Sequence, residues 1–90
     1  MAPYTVDARP RVRKALRQLD PAARKELLVK MRALATDPRP PGTKPLRGYS
    51  PWLRVRVGDY RIIYAVDDEA RVVTVASVGH RREIYRSLEL

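Results

Sequence analysis

The sequence predicts an α+β fold in which two N-terminal helices pack on a small antiparallel β-sheet, in the order β-α-α-β-β-β. Three observations predict it. Apolar residues recur at helical spacing through the first part of the chain and alternate with period two after Pro51, and between these two regimes lies a stretch too rich in proline to belong to either. At 90 residues the chain has room for one domain, residues 1–90, with one modest core.

The elements follow in order. Tyr4, Thr5 and Val6 alternate between Pro3 and Asp7 and predict a short strand. Val12, Ala15, Leu16 and Leu19 then recur at i, i+3, i+4 and i+7, one apolar stripe of a helix that Asp7 is expected to cap. Asp20-Pro21 reads as the N-cap and first residue of a second helix. Its stripe is Leu27, Leu28, Met31, Leu34 and Ala35, and Asp37-Pro38 stops it. Residues 38–51 hold five prolines and two glycines, which predicts a loop. Leu53, Val55 and Val57 alternate with Trp52, Arg54 and Arg56, so a strand resumes there. Gly58-Asp59 is a two-residue hairpin turn, residues 60–66 form the returning strand, and residues 71–78 form a third strand ended by Gly79.

Composition narrows the function. There are 19 Lys and Arg against 10 Asp and Glu, a formal charge of +9, the footprint of a protein that meets polyanions, nucleic acid first. The alternative is a basic surface that only confers solubility. No cysteine is present, which excludes a disulfide framework, a thiolate metal site and a cysteine nucleophile, and fits a reducing cytoplasm. The longest apolar run, residues 62–66, is far shorter than the roughly 20 residues of a membrane span. A soluble, cytoplasmic protein without a membrane role is expected.

The hairpin turn fixes where the charges fall. It sets Val57 opposite Tyr60, Arg56 opposite Arg61 and Arg54 opposite Ile63, so Arg54, Arg56 and Arg61 share one sheet face. Like charges directly across a strand pair destabilise it, so an anion is expected above them; the alternative is three guanidiniums splayed into solvent. The same parity adds Ile63, Ala65, Val72, Thr74, Ala76 and Val78 to that face. The more continuous apolar face, with Leu53, Val55, Val57, Ile62, Tyr64, Val73 and Val75, is the seat for the helices. A partly apolar strip beside the arginines then needs a cover. A partner protein, the C-terminal tail or a second copy would serve.

Chemical motifs are few. His80 is the only histidine, and Asp67-Asp68-Glu69 reads as an acidic turn, so no metal site is expected. The serines lack a nucleophile motif, and no GxGxxG or Walker loop exists, so no cofactor is expected. The remaining inventory of arginines, one histidine and tyrosines suits phosphodiester chemistry on RNA, whose 2′-OH is a built-in nucleophile. The protein must take that proton, neutralise the crowded phosphate and protonate the leaving 5′-oxygen. Arginine forks serve the second task, His80 suits proton transfer, and Tyr85 can stack on a base or share a proton.

Four stretches carry a resemblance: Leu46-Arg47-Gly48-Tyr49; Trp52-Leu53-Arg54-Val55-Arg56-Val57; Gly58-Asp59-Tyr60-Arg61-Ile62-Ile63-Tyr64; and Val78-Gly79-His80-Arg81-Arg82-Glu83-Ile84-Tyr85-Arg86. Together they resemble the RelE toxins of bacterial toxin-antitoxin modules, within the RelE/ParE superfamily. The resemblance implies a barnase/RelE-like fold, a ribosome-dependent endoribonuclease that cuts mRNA in the A site, and a small acidic antitoxin as partner. It places Arg61 and Arg81 on the family's phosphate-holding arginines and Tyr85 on its substrate-contacting tyrosine. Arg54 and Arg56 stand where studied members carry lysines, and Arg47 and Arg82 join them as expected RNA-binding residues. Arginine does not give up its proton, so His80 becomes the acid or base candidate by elimination; alternatively it only packs in the tail. The runner-up is the ParE branch, which resembles inhibitors of DNA gyrase, and a non-catalytic nucleic-acid-binding domain is a third class.

Overall fold

A computed structural model describes residues 3–86, 88 and 90. Two helices pack against one face of a five-stranded mixed sheet, an α+β architecture. The elements are β1 (Thr5–Ala8), α1 (Pro10–Arg17), α2 (Pro21–Ala33), β2 (Lys44–Pro45), β3 (Leu53–Val57), β4 (Tyr60–Asp67) and β5 (Val72–His80). The sheet order is β1-β5-β4-β3-β2. Neighbours are antiparallel except that β1 runs parallel to β5, which the expectation of an all-antiparallel sheet missed.

Helix α1 starts later than expected. Asp7 lies within β1, and the cap position belongs to Arg9, held extended before Pro10, whose ring presets the first helical turn. The end of α1 is closed by Arg24 of α2. Its Nε donates to the Leu16 carbonyl at 2.9 Å and its Nη2 to the Leu19 carbonyl at 2.9 Å, satisfying carbonyls that the helix leaves open. Helix α2 begins as expected, with the Asp20 carboxylate accepting the Ala23 N–H at 3.4 Å and Pro21 in the first turn.

The main core lies between helices and sheet. Val12 and Leu16 of α1, Leu27 and Met31 of α2, and Leu34 just beyond it meet Val55, Ile62, Tyr64, Val73, Val75 and Val78. Tyr64 is fully buried, yet its hydroxyl reaches out of the core to donate to the Pro38 carbonyl at 2.8 Å and to contact Thr43 Oγ1 at 3.1 Å. That tie pins the start of the proline-rich segment, which is a loop apart from β2, a two-residue strand the sequence did not announce.

The hairpin between β3 and β4 has the expected register, with Val57 opposite Tyr60 and Arg56 opposite Arg61. Gly58 has φ +59°, the positive value a II′-type turn needs at its first central residue. Between β4 and β5 the register shifts at Ile63/Tyr64: Tyr64 pairs with Val75 but Ile63 with Ser77, leaving Ala76 as a β-bulge. The bulge reverses the parity of everything after it. Val78, expected on the arginine face, instead packs in the main core opposite Ile62, and Ser77 and Gly79 take its place. Gly79 also does not end the strand, which continues to His80.

The other sheet face has its own small core of Leu46, Ile63 and Ile84, with Trp52, Leu88 and Leu90 against it. Ile63, the large apolar residue of the strip beside the arginines, is therefore covered by this chain's own loop and tail, the tail being one of the covers the sequence left open.

Candidate functional site

The site grows from the register of three strands. Lys44 of β2 pairs with Arg54 of β3, and Arg56 of β3 pairs with Arg61 of β4, so these side chains rise from the sheet face opposite the helices. Together with Gly42, these four side chains line a cavity of about 130 Å³. The Arg61 guanidinium folds back to the hairpin turn, its Nη1 donating to the carbonyls of Tyr60 at 2.9 Å and Gly58 at 3.2 Å. Among the described residues, none of Arg54, Arg56 and Arg61 has a carboxylate within 4.0 Å. Four cations thus line one small concavity with no counter-ion among the described residues. Like charges repel, and more strongly where solvent is thinned, so an entering oxyanion is favoured.

A second cavity of about 270 Å³ adjoins the first through Arg54, and is lined also by Pro45, Leu46, Arg47, Tyr49, Tyr85 and Leu88. Arg54 Nη1 donates to the Tyr85 hydroxyl at 3.3 Å. Tyr85 is carried there by the turn over residues 81–86, which Ile84 anchors by burying itself on Ile63 and Leu46. The expected residues Arg47, Arg54, Arg56, Arg61 and Tyr85 are therefore gathered along one continuous surface.

Arg81 sits at the hairpin end. Its backbone N–H donates to the Asp59 carbonyl at 2.7 Å, and its Nε lies 3.9 Å from the Asp59 carboxylate. Arg82 is exposed in the same turn. The structure does not bring His80 to the arginines. Paired with Tyr60, it falls on the helix side of the sheet, its ring edge-on to Tyr60 at 5.8 Å, with Nδ1 accepting the Arg82 N–H at 3.2 Å. The Ala76 bulge is the reason, because unbroken alternation would have put His80 on the arginine face.

With this geometry in view, similarity to known proteins becomes informative. The family model described as "ParE toxin of type II toxin-antitoxin system, parDE" matches residues 4–85. The chain belongs to the RelE/ParE superfamily of type II toxins. Toxin RelG of Mycobacterium tuberculosis is 32% identical over 85 residues, covering 93% of this chain and 98% of RelG. The toxin-antitoxin complex RelBE2 of the same organism contains a chain superposing with TM-score 0.78 at 32% identity, covering 88% of this chain and 99% of that one. The archaeal RelE-RelB complex of Pyrococcus horikoshii gives TM-score 0.77 at 29% identity, covering 93% and 98%. The matching family description is thus ParE, while these relatives carry the names RelG and RelE.

In this toxin the residue that sequence reasoning missed is Lys44. It lies in a proline-rich loop with no periodicity to give its direction. Only the cross-strand pairing with Arg54 places it in the cavity. Among the cavity's cationic side chains it alone belongs to a type that can release a proton, since arginine remains charged throughout the physiological range.

Proposed function

We propose that this chain is the toxin of a type II toxin-antitoxin pair and acts as a ribosome-dependent endoribonuclease, cleaving mRNA in the A site by attack of a 2′-OH on the adjacent phosphate. The observation that carries this reading is the shared cavity of Lys44, Arg54, Arg56 and Arg61, in which no carboxylate among the described residues neutralises the three guanidiniums. A phosphodiester seated there has its non-bridging oxygens facing guanidinium forks, which hold most strongly the extra negative charge of the pentavalent transition state. The 2′-OH gives up its proton as its oxygen forms a bond to phosphorus, the bond to the 5′-oxygen breaks, and the leaving oxygen takes a proton. The products are a cyclic phosphate and a free 5′-hydroxyl. The substrate brings its own nucleophile, so no metal is required by this route.

Roles follow from position. Arg61 and Arg56 clamp the phosphate, Arg54 spans phosphate and nucleotide, and Tyr85 contacts the nucleotide. Arg81 approaches from the hairpin end, while Arg47 and Arg82 steer the RNA strand through long-range charge. Lys44 takes the proton-transfer role that elimination had given to His80, which on the far face supports the turn through its bond to Arg82. The partner is a small acidic antitoxin that opposes the +9 charge; the similar archaeal RelE is found in complex with RelB.

Primer extension on a message incubated with this protein, with and without ribosomes, tests the reading. Wild-type protein is expected to give new 5′-ends only with ribosomes, and Arg81→Ala to lose them while remaining folded. Lys44→Arg keeps the charge but not the transferable proton, so a loss of cleavage of at least tenfold is expected for it, with His80→Ala remaining active. The gyrase-inhibition reading is favoured by the ParE description of the matching family model. Altered plasmid supercoiling with intact messages would decide for it.

A further inference from the structure

Among the described residues only three large apolar side chains are strongly exposed, and two of them, Tyr49 at 50% and Tyr85 at 41%, line the same cavity. They come from segments far apart in sequence, one from the loop after β2 and one from the turn after β5. Neither is loosely held. The Tyr49 loop is closed by three backbone bonds: Leu46 N–H to the Trp52 carbonyl at 2.9 Å, Tyr49 N–H to the Leu46 carbonyl at 3.0 Å, and Trp52 N–H to the Tyr49 carbonyl at 2.8 Å. Leu46 at the root of that loop and Ile84 beside Tyr85 bury themselves in one small core with Ile63, so both rings stand on a common footing.

Exposed tyrosines in a cleft lined by Arg47 and Arg54 match the chemistry of an unpaired nucleobase. The ring faces stack, and the guanidiniums take the attached phosphates. We propose that Tyr49 joins Tyr85 to form a slot for one unstacked RNA base, placed by Arg54 next to the bond held in the arginine cavity. This rests on the nuclease reading above and deepens it. The slot explains why two large apolar rings remain in water beside a small core in which loop and tail cover Ile63.

The test separates the slot from the phosphate clamp. Adenosine 3′-monophosphate and ribose phosphate are titrated into the full-length protein and followed by NMR of the tyrosine ring protons. The nucleotide is expected to shift the rings of both Tyr49 and Tyr85, and ribose phosphate to shift neither. Tyr49→Ala should weaken the nucleotide about tenfold and leave ribose phosphate unchanged, Tyr49→Phe should bind as wild type, and Arg56→Ala should weaken both ligands. Ring shifts at Tyr85 alone, or nucleotide affinity unaltered in Tyr49→Ala while Arg56→Ala still loses it, would overturn the slot and leave the nuclease reading standing. If neither ligand responds to Arg56→Ala, the nuclease reading fails as well.

Discussion

Arg56 shows at the scale of one residue how a functional demand is written against stability. Its side chain is exposed, faces Arg61 directly across the hairpin and has no carboxylate neighbour among the described residues. Removing it therefore costs the fold nothing and relieves a like-charge pair. Arg56→Ala is expected to unfold in urea within about 0.5 kcal/mol of wild type or slightly above it, while message cleavage falls at least tenfold. Arg61 is a less clean probe, since its guanidinium also ties two carbonyls of the turn. Tyr64 makes the opposite case, of a structural residue serving the site from below. Burial pushes its hydroxyl up from the ordinary tyrosine range, so it stays protonated and keeps holding Pro38 and Thr43, the latter adjacent to Lys44.

Among the elements, the β3–β4 hairpin was legible in the sequence because a two-residue turn leaves only one register, and that register alone places Arg54, Arg56 and Arg61 together. The helices were legible from their stripes, although Asp7 looked like a cap that Arg9 and Pro10 displaced. What stayed hidden depended on contacts between distant segments. The bulge at Ala76 falls in a run of small and β-branched residues with no glycine to mark it, and it moved Val78 and His80 to the other face. Strand β2 exists only because Lys44 and Pro45 find β3, so Lys44 carried no signal that local pattern could detect. The turn over residues 81–86 is anchored to the sheet face by Ile84, which is 6% exposed. Ile84→Ala is expected to cost roughly 2 to 4 kcal/mol in denaturant unfolding and to release Tyr85, seen as loss of the paired tyrosine ring shifts described above.

For the molecule as a whole, charge controls both ends of the sheet. At the β1 edge, Asp68 accepts from Tyr4 Oη at 2.6 Å and from both Arg39 Nη atoms at 3.2 and 2.9 Å. These bonds join the N-terminal strand, the loop after α2 and the β4–β5 turn. The Arg39 bonds first, then that of Tyr4, hold the Asp68 carboxyl below its ordinary value of 3.8. A depressed acid stabilises the fold while ionised, so this contribution is present at neutral pH and fades as pH falls below about 4. Asp68→Asn is expected to lower the melting temperature at pH 7, and its gap from wild type to narrow as pH falls below about 4, checked by thermal unfolding across that range. At the other end, the arginines have no carboxylate neighbour among the described residues, and a docked oxyanion is expected to relieve their mutual repulsion. The toxin should then tolerate more heat in phosphate than in chloride at matched ionic strength, and Arg56→Ala should lose most of that protection. Storage buffer, usually chosen for convenience, becomes for this protein a ligand whose withdrawal shortens its working life.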